Sequence, residues 1–566
     1  MKKSLFILLA LVLVLGTVLA GCGSKKDEEN GASAGSGNGE SEMAGNQEFS
    51  MNLHSEPPTL DPGQAQDNTS STVLNAIYEG LTRINESGEV EPALAAKWDI
   101  SDDKKQYTFH LRDDAKWSNG DPVVAGDFEF AWKRVLDPNF EPASPYAYQL
   151  YYLVNAENYN IKEDNPNHIT DPNLVGVKAT DEHTLVVTLN SPTPYFLNLT
   201  SFQTLYPVHQ ATVKANKAWS AEANTMVTNG PFKIKDWKHG NKITLVPNEY
   251  YYDKAKVHFK QINLTMVNDS ATELSMYKTD KLDYSGKPTG EIPADQLPKL
   301  RKDMKDEIEF KGIASTYYYV FNTTAEPFDN LNIRKAFTLA IDRQAIVDKV
   351  TLAGEIPAYG FVSPGIQGEK EEYRTEHKDD FMEKDLTKAI EEAKTLLDAG
   401  MKEKGYTKLP AITLIYNQSD GHKKIAQAIA DMWKKNLGVN VTVQSQEWGV
   451  FLKNRTNLNY QVARSGWGAD YNDPMTYIDL WTSGSGNNDA GFKNKAYDDL
   501  VKEAYGTDDQ AKRMAAMSKA EQILMDNQVV LPIYYYSNVR LLKPDIKGVF
   551  NDYKGDVFFN FGYRAK

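Results

Sequence analysis

Apolar and polar positions alternate from Tyr107 to Leu111 and again from Leu185 to Leu189, the period of two that suits half-buried strands set between polar and Pro/Gly-containing stretches. Elsewhere the period lengthens to that of a helix. Ile333, Phe337, Ala340 and Ile341 share one helical face, as do Leu386, Ile390, Ala393 and Leu397, with Gly400 read as the stop of that second helix. The most legible unit follows. Ala411 to Tyr416 predicts a buried strand, Ile425, Ile429, Met432 and Trp433 a helix ending near Gly438, and Val439, Val441 and Val443 another strand. Strand, helix, strand in that order predicts a parallel crossover of right-handed sense. A further strand, Tyr460 to Ser465, is expected to run into a turn from Gly466 to Pro474. Open α/β sheets bind ligands beyond the carboxyl ends of their strands, which makes that turn the first candidate site.

The start of the chain carries a different pattern. Lys2 and Lys3 precede an apolar run from Leu5 to Ala20, and Leu19-Ala20-Gly21-Cys22 closes it. Residues 1–21 thus have the layout of a bacterial lipoprotein signal peptide, with Cys22 as the acceptor of a diacylglyceryl group and the new N-terminus after cleavage. The run is shorter than the ~20 residues a helix needs to cross hydrocarbon. Residues 22–48 contain Gly, Ser, Asn, Ala and charged residues with almost nothing to bury, the composition of a flexible tether. Cys22 has no second cysteine to pair with, so stability must come from burial. Hydrophobic residues make up 41% of 566 positions, enough for two or more packed domains. A formal charge of −14 argues against a nucleic-acid binder, which needs a basic surface.

Catalytic signatures find no support. The nine histidines are scattered, and none forms the i, i+4 helical pair of a zinc hydrolase. There is no Gly-x-Ser-x-Gly elbow, and Ser285-Gly286-Lys287-Pro288 lacks the upstream glycine and downstream hydroxyl of a phosphate loop. Asp102-Asp103 and Asp113-Asp114 read as solvated surface charge. Tyrosines are bunched at 146 and 148, 151–152, 250–252, 317–319 and 534–536. On a strand, alternate members face opposite sides, so one face can fill a core while the other meets a cleft.

Several stretches, in order, resemble one family, the oligopeptide-binding lipoproteins of ATP-driven peptide importers within the peptide- and nickel-binding extracellular solute receptors. They are Asp61-Pro62, Tyr78-Glu79-Gly80-Leu81, Glu91-Pro92-Ala93-Leu94-Ala95 with Trp98, Lys116-Trp117-Ser118-Asn119-Gly120-Asp121-Pro122-Val123, and Asn229-Gly230-Pro231-Phe232. The last is Val462-Ala463-Arg464-Ser465-Gly466-Trp467-Gly468-Ala469-Asp470-Tyr471. The resemblance runs from about Leu53 to the C-terminus.

What it implies is an α/β, two-lobed periplasmic-binding-protein-like fold of type II with an additional third domain and a ligand cleft between the lobes. Lobe I would be discontinuous, taking residues 49–81, 195–316 and 537–566; the extra domain would take 82–194 and the opposing lobe 317–536. By the same resemblance Asp470 matches the aspartate that binds a peptide's α-ammonium. Arg464 and Arg455 match arginines that neutralise the carboxyl end, Trp448 and Trp467 line side-chain pockets, and Gly466, Trp467 and Gly468 offer main-chain groups to extended peptide. Gly468 stands where some relatives carry a larger residue, which bears on the size of the neighbouring pocket. The implied partners are short peptides, a permease with separate ATPase subunits, and the membrane through lipid on Cys22, with the protein a monomer on the extracellular face. No cofactor, metal, nucleic acid or enzymatic turnover is expected. Dipeptide, nickel chelate and sugar receptors share the fold, as do pheromone sensors and adhesins, because fold does not fix function.

Overall fold

The computed structural model describes residues 43–86, 88–161 and 165–566. The expected signal peptide, Cys22 and the first part of the tether lie outside the described residues. Strands β1 (Glu48–Asn52), β2 (Phe232–Lys238), β3 (Lys242–Pro247), β4 (Gln261–Thr265), β5 (Tyr284–Gly286), β6 (Ile308–Phe321), β7 (Ile412–Asn417), β8 (Val441–Gln446), β9 (Val462–Gly468) and β10 (Val530–Leu542) share one sheet. Their order is β8-β7-β9-β6-β10-β5-β1-β4-β3-β2, with the short strand Ile356–Pro357 paired to β10. The last six residues of the expected tether are already folded. Met43 bridges Ala565, and the Gln47 amide donates to the carbonyls of Ala44 and Arg564.

The long antiparallel strands β6 and β10 run through the middle of the sheet, and their ladder slips between Gly312 and Thr316. The lobe boundaries expected at 316/317 and 536/537 fall inside these two strands. Alternation sends the tyrosines of β6 into two cores. Tyr317 and Tyr319 pack with Phe337, Ile429 and Trp433, whereas Tyr318 meets Phe361 and Trp481 on the other face. Burying a large apolar side chain stabilises by about 1.5–3 kcal/mol each. A separate antiparallel sheet orders Ala95–Ile100, Gln106–Leu111, Thr184–Thr188 and Val177–Ala179, so the two alternating runs read from the sequence are direct partners, Tyr107 opposite Val187.

Helices α1 (Asn68–Ile77), α2 (Leu331–Leu339), α3 (Leu386–Lys404), α4 (Asp420–Leu437), α5 (Trp448–Thr456) and α6 (Gln510–Asp526) flank the sheet, and of these α1, α4 and α5 carry cleft residues while α6 braces one cleft loop. Side-chain oxygens of Asp67, Asn330, Asp385, Ser419, Glu447 and Asp509 accept the orphan amides of their first turns. The predicted crossover is present, with β7 and β8 parallel and α4 between them. Helix α3, however, does not stop at Gly400. It continues to Lys404, and Gly405, with φ of +67°, ends it. Gly400 is a contact instead, since a Cβ there would lie 2.7 Å from both Asn330 Oδ1 and Ile333 Cγ1, and its absence lets α2 come close. The expected turn at Gly466 is likewise replaced by strand, because β9 keeps its pairing with β6 out to Gly468 opposite Ser315.

Candidate functional site

A cleft of about 210 Å³ gathers residues from distant parts of the chain. All seven ligand-site residues singled out from the sequence line it: Trp448, Arg455, Arg464, Gly466, Trp467, Gly468 and Asp470. Its floor is β9. Val462 and Ala463 pair with β7, but from Arg464 onward β9 pairs, among the described residues, only with β6, and the edge toward β7 has no ladder partner there. The Trp467 carbonyl accepts from Ser315 Oγ at 2.8 Å and the Ala469 amide donates to Ala314. Main-chain groups alternate in direction along an antiparallel strand, so those of Gly466 and Gly468 face the open edge. Without side chains at those two positions, another backbone can approach closely.

At one end stands Asp470. Its amide donates to Thr476 Oγ1 at 2.9 Å, and its Oδ2 accepts from Gln149 Nε2 at 2.9 Å. It forms no ion pair among the described residues. Burial holds its carboxyl well above the ordinary range; Lys554 nearby pulls the other way, while Asp479 and Asp556 reinforce the upward shift. Lys554 is itself engaged by Asp556 at 2.9 Å. The loop that carries Asp470 is fixed from behind, where Arg513 of α6 grips both oxygens of buried Asp473 at 2.9 Å each. Tyr471 stacks on Tyr195 with ring centroids 4.5 Å apart and donates to Asp479 Oδ2 at 3.1 Å. Burial pushes Asp479 up to about 8.

At the other end Arg464 and Lys287 stand together with Glu291. Arg464 Nη2 donates to Tyr536 Oη at 2.7 Å, its guanidinium lies 4.8 Å from the Tyr317 ring centre, and its Nε is buried without a partner among the described residues. Lys287, His54 and His422 line the same end. Burial lowers all three, and for His422 the neighbouring charges of Arg464 and Lys287 add to the effect. Arg455 differs from Arg464 in being engaged already, by Asp489 at 2.8 Å through Nε. Trp448 Nε1 donates to Asp67 Oδ1 at 3.1 Å, and the Trp467 ring lies 6.0 Å from Tyr146. Gln149, His54 and His422 escaped sequence reasoning, and Lys287 is read there only as part of a phosphate loop that its neighbours do not complete. Each is a lone polar residue in a segment with no spacing signal, and only the fold brings them to the cleft. Of the tyrosine clusters, Tyr146 and Tyr536 reach it.

The model of the bacterial extracellular solute-binding proteins, family 5, matches residues 89–489. The chain belongs to this family. Among family-5 relatives, the oligopeptide-binding protein OppA of Bacillus subtilis is 42% identical over the full length of both chains. Haemophilus influenzae OppA, solved in complex with the peptide RPPGFSPFR, superposes with a TM-score of 0.85 at 33% identity, covering 93% of this chain and 100% of that one. The Escherichia coli murein tripeptide binding protein MppA gives 0.85 at 34% identity, covering 93% and 99%. The unliganded open form of MppA, over the same coverage, gives only 0.60. The α/β architecture is therefore that of family-5 solute-binding proteins, two lobes with a third domain and a cleft between, and this structure lies nearer the first MppA arrangement than the open one. Among the described residues no helix is long and apolar enough to cross a membrane, and no group of three or more His, Cys, Asp or Glu is placed to hold a metal ion.

Proposed function

We propose that this chain is an extracellular receptor that encloses short oligopeptides and hands them to the permease of an ATP-driven importer, anchored to the membrane through lipid on Cys22 and acting as a monomer without turnover. The observation that carries the reading is the carboxylate of Asp470, enclosed at one end of the cleft with a neutral amide donor and no ion pair among the described residues, nearby Lys554 being held by Asp556. A peptide's α-ammonium supplies the missing charge. The open edge of β9 accepts the peptide main chain as an added strand, through groups every peptide shares. The carboxyl end runs toward Arg464, Lys287 and His422. Strand rise is ~3.3 Å per residue, so Arg464 lies roughly 13 Å from Gly468 and at most roughly 20 Å from Asp470, a span of about four to six extended residues. Closure occurs by movement of the lobes about β6 and β10, near the ladder slip at Gly312. The relatives named for oligopeptide binding support the substrate class.

The test is calorimetric titration of the full chain with a tripeptide and its N-acetylated form. Removing one partner of a buried ion pair costs about 3–5 kcal/mol, so acetylation should weaken binding by two orders of magnitude or more, roughly. Asp470→Asn should narrow the difference between the two peptides. Equal affinity for both forms in the unmodified chain would sink the assignment.

A further inference from the structure

Beyond the peptide cleft lies a second cavity of about 320 Å³, within the size range of small-molecule sites, roughly 300–1,000 Å³. Phe202, Gln203, Lys554 and Asp556 line both spaces and form the wall between them. We propose that this second cavity binds a small aromatic cation, independently of the peptide.

Aromatic faces dominate the lining. Phe550 and Phe558 sit opposite each other across the two-stranded ladder of Phe550–Asn551 with Val557–Phe558, stacked at 5.4 Å and half-buried. Tyr78 and Tyr206 stack at 6.4 Å, and Phe561 completes the surface. Such faces are electron-rich and attract both apolar rings and cations. One cation–π contact of this kind is built in, with the Arg83 guanidinium 5.1 Å from the Phe561 ring centre.

The charge around the cavity selects the sign of the guest. Every lining cation is already engaged, Arg83 by Glu79 at 3.3 Å and Glu91 at 3.4 Å, Lys554 by Asp556 at 2.9 Å and Lys256 by Asp253 at 2.8 Å, so Glu86 and Asp552 are the lining acids left without an ion pair among the described residues. Asp552 is fully buried. Its Oδ1 accepts the amides of Lys554 at 3.1 Å and Asp556 at 2.9 Å, while Oδ2 has no hydrogen-bond partner among the described residues. An anion would meet this acidic excess, whereas a protonated amine on an aromatic body matches both features. Because the wall is shared, the guest touches Lys554 and Asp556 from behind and so shares a boundary with the Asp470 end of the peptide cleft.

The experiment titrates phenethylammonium into the full chain saturated with a tripeptide, with phenylacetate as the anionic control. Binding should persist at saturating peptide, and phenylacetate should bind at least about tenfold more weakly. Ile84 is half-buried on the lining, and Ile84→Trp, which fills the space, should weaken phenethylammonium about tenfold or more while peptide affinity changes less than about twofold. Retained peptide binding shows that the variant is folded; if it is not, Phe558→Ala takes its place with the same expectations. Displacement of phenethylammonium by the tripeptide, equal binding of phenylacetate, no binding at all, or indifference to both substitutions overturns the proposal. Failure of the tripeptide itself to bind sinks the receptor reading instead, so the two failures are separable.

Discussion

Gln149 reaches across 321 positions of sequence to place its Nε2 2.9 Å from Asp470 Oδ2. The glutamine is fully buried, and its Oε1 takes no hydrogen bond among the described residues, so its amide is committed to orienting this one carboxylate. A hydrogen bond to a charged group is worth about 1.5–3 kcal/mol. Gln149→Leu should therefore weaken free-amine peptides roughly tenfold to a hundredfold, and Gln149→Glu more, by setting a second acid beside the first. Titration of both variants with the same tripeptide checks this, and unchanged affinity in Gln149→Leu would remove the glutamine from the site.

Proton linkage follows from the same carboxylate. In the empty cleft burial raises the Asp470 pKa, so the empty form retains a proton to higher pH than an ordinary aspartate. A bound ammonium favours the ionised form. Peptide binding must then release a proton wherever the empty form is still protonated and the peptide amine is an ammonium, and affinity should rise with pH until that amine loses its own proton, at about 7.7–8.0. Asp479 and Asp556 reinforce the shift, Lys554 opposes it, and His54 and His422 at the far end are lowered by burial. Calorimetry in two buffers of different ionisation enthalpy measures the released proton directly. Asp470→Asn should abolish most of that release, whereas a loss of affinity with rising pH below the range in which the peptide amine deprotonates would contradict the sign.

The crossover from β7 through α4 to β8 was legible because its period changes from two to that of a helix and back, with glycine at the end of the helix. The ligand stretch on β9 was legible only through resemblance, since Gly466-Trp467-Gly468 reads locally as a turn. Pairing with β6 turns it into strand, and that pairing joins segments about 150 residues apart in the way local propensity never records. Gly400 shows the same limit from the other side, because a glycine needed for close helix packing and one that ends a helix look alike in sequence. Gln149 carried no local signal at all. Its role exists only because the segment around Tyr146 and the loop after β9 meet at the cleft.

The loop carrying Asp470 depends on an ion pair that binds no ligand. Arg513 and Asp473 are both almost wholly buried and joined by two bonds of 2.9 Å, and the Thr476 amide donates to the Asp473 carbonyl while Thr476 Oγ1 accepts from Asp470. Arg513→Met leaves a buried carboxylate unpaired, a loss of about 3–5 kcal/mol. The melting temperature should fall, and peptide affinity should fall with it because the anchor for Asp470 loosens. The double variant Arg513→Met with Asp473→Leu removes both charges and should recover stability, since apolar replacement of a buried pair is often neutral or favourable. Recovery of stability without recovery of affinity would place the pair in positioning the site as well as in folding.

Gly466 offers the sharpest test of the floor of the cleft. A Cβ added there would lie 2.9 Å from Tyr536 Oη and 3.2 Å from Arg464 Nη2, and that hydroxyl is the one accepting from Arg464 at 2.7 Å. Gly466→Ala must displace the tyrosine, the arginine or the strand, and peptide affinity should drop by about tenfold, near the energy of one hydrogen bond to a charged group. At Gly468 the nearest atoms are 3.7 Å away, ordinary contact, so Gly468→Ala should alter which side chains are accepted more than how tightly a small peptide binds. Tyr536→Phe removes the obstructing oxygen together with its bond to Arg464. If steric pressure on that hydroxyl is the cause, the double variant Gly466→Ala with Tyr536→Phe should bind better than the two single losses predict when added, with a coupling of about 0.5–3 kcal/mol. Simple additivity would instead mean that the extra methyl acts on the bound peptide itself, through the open edge of β9.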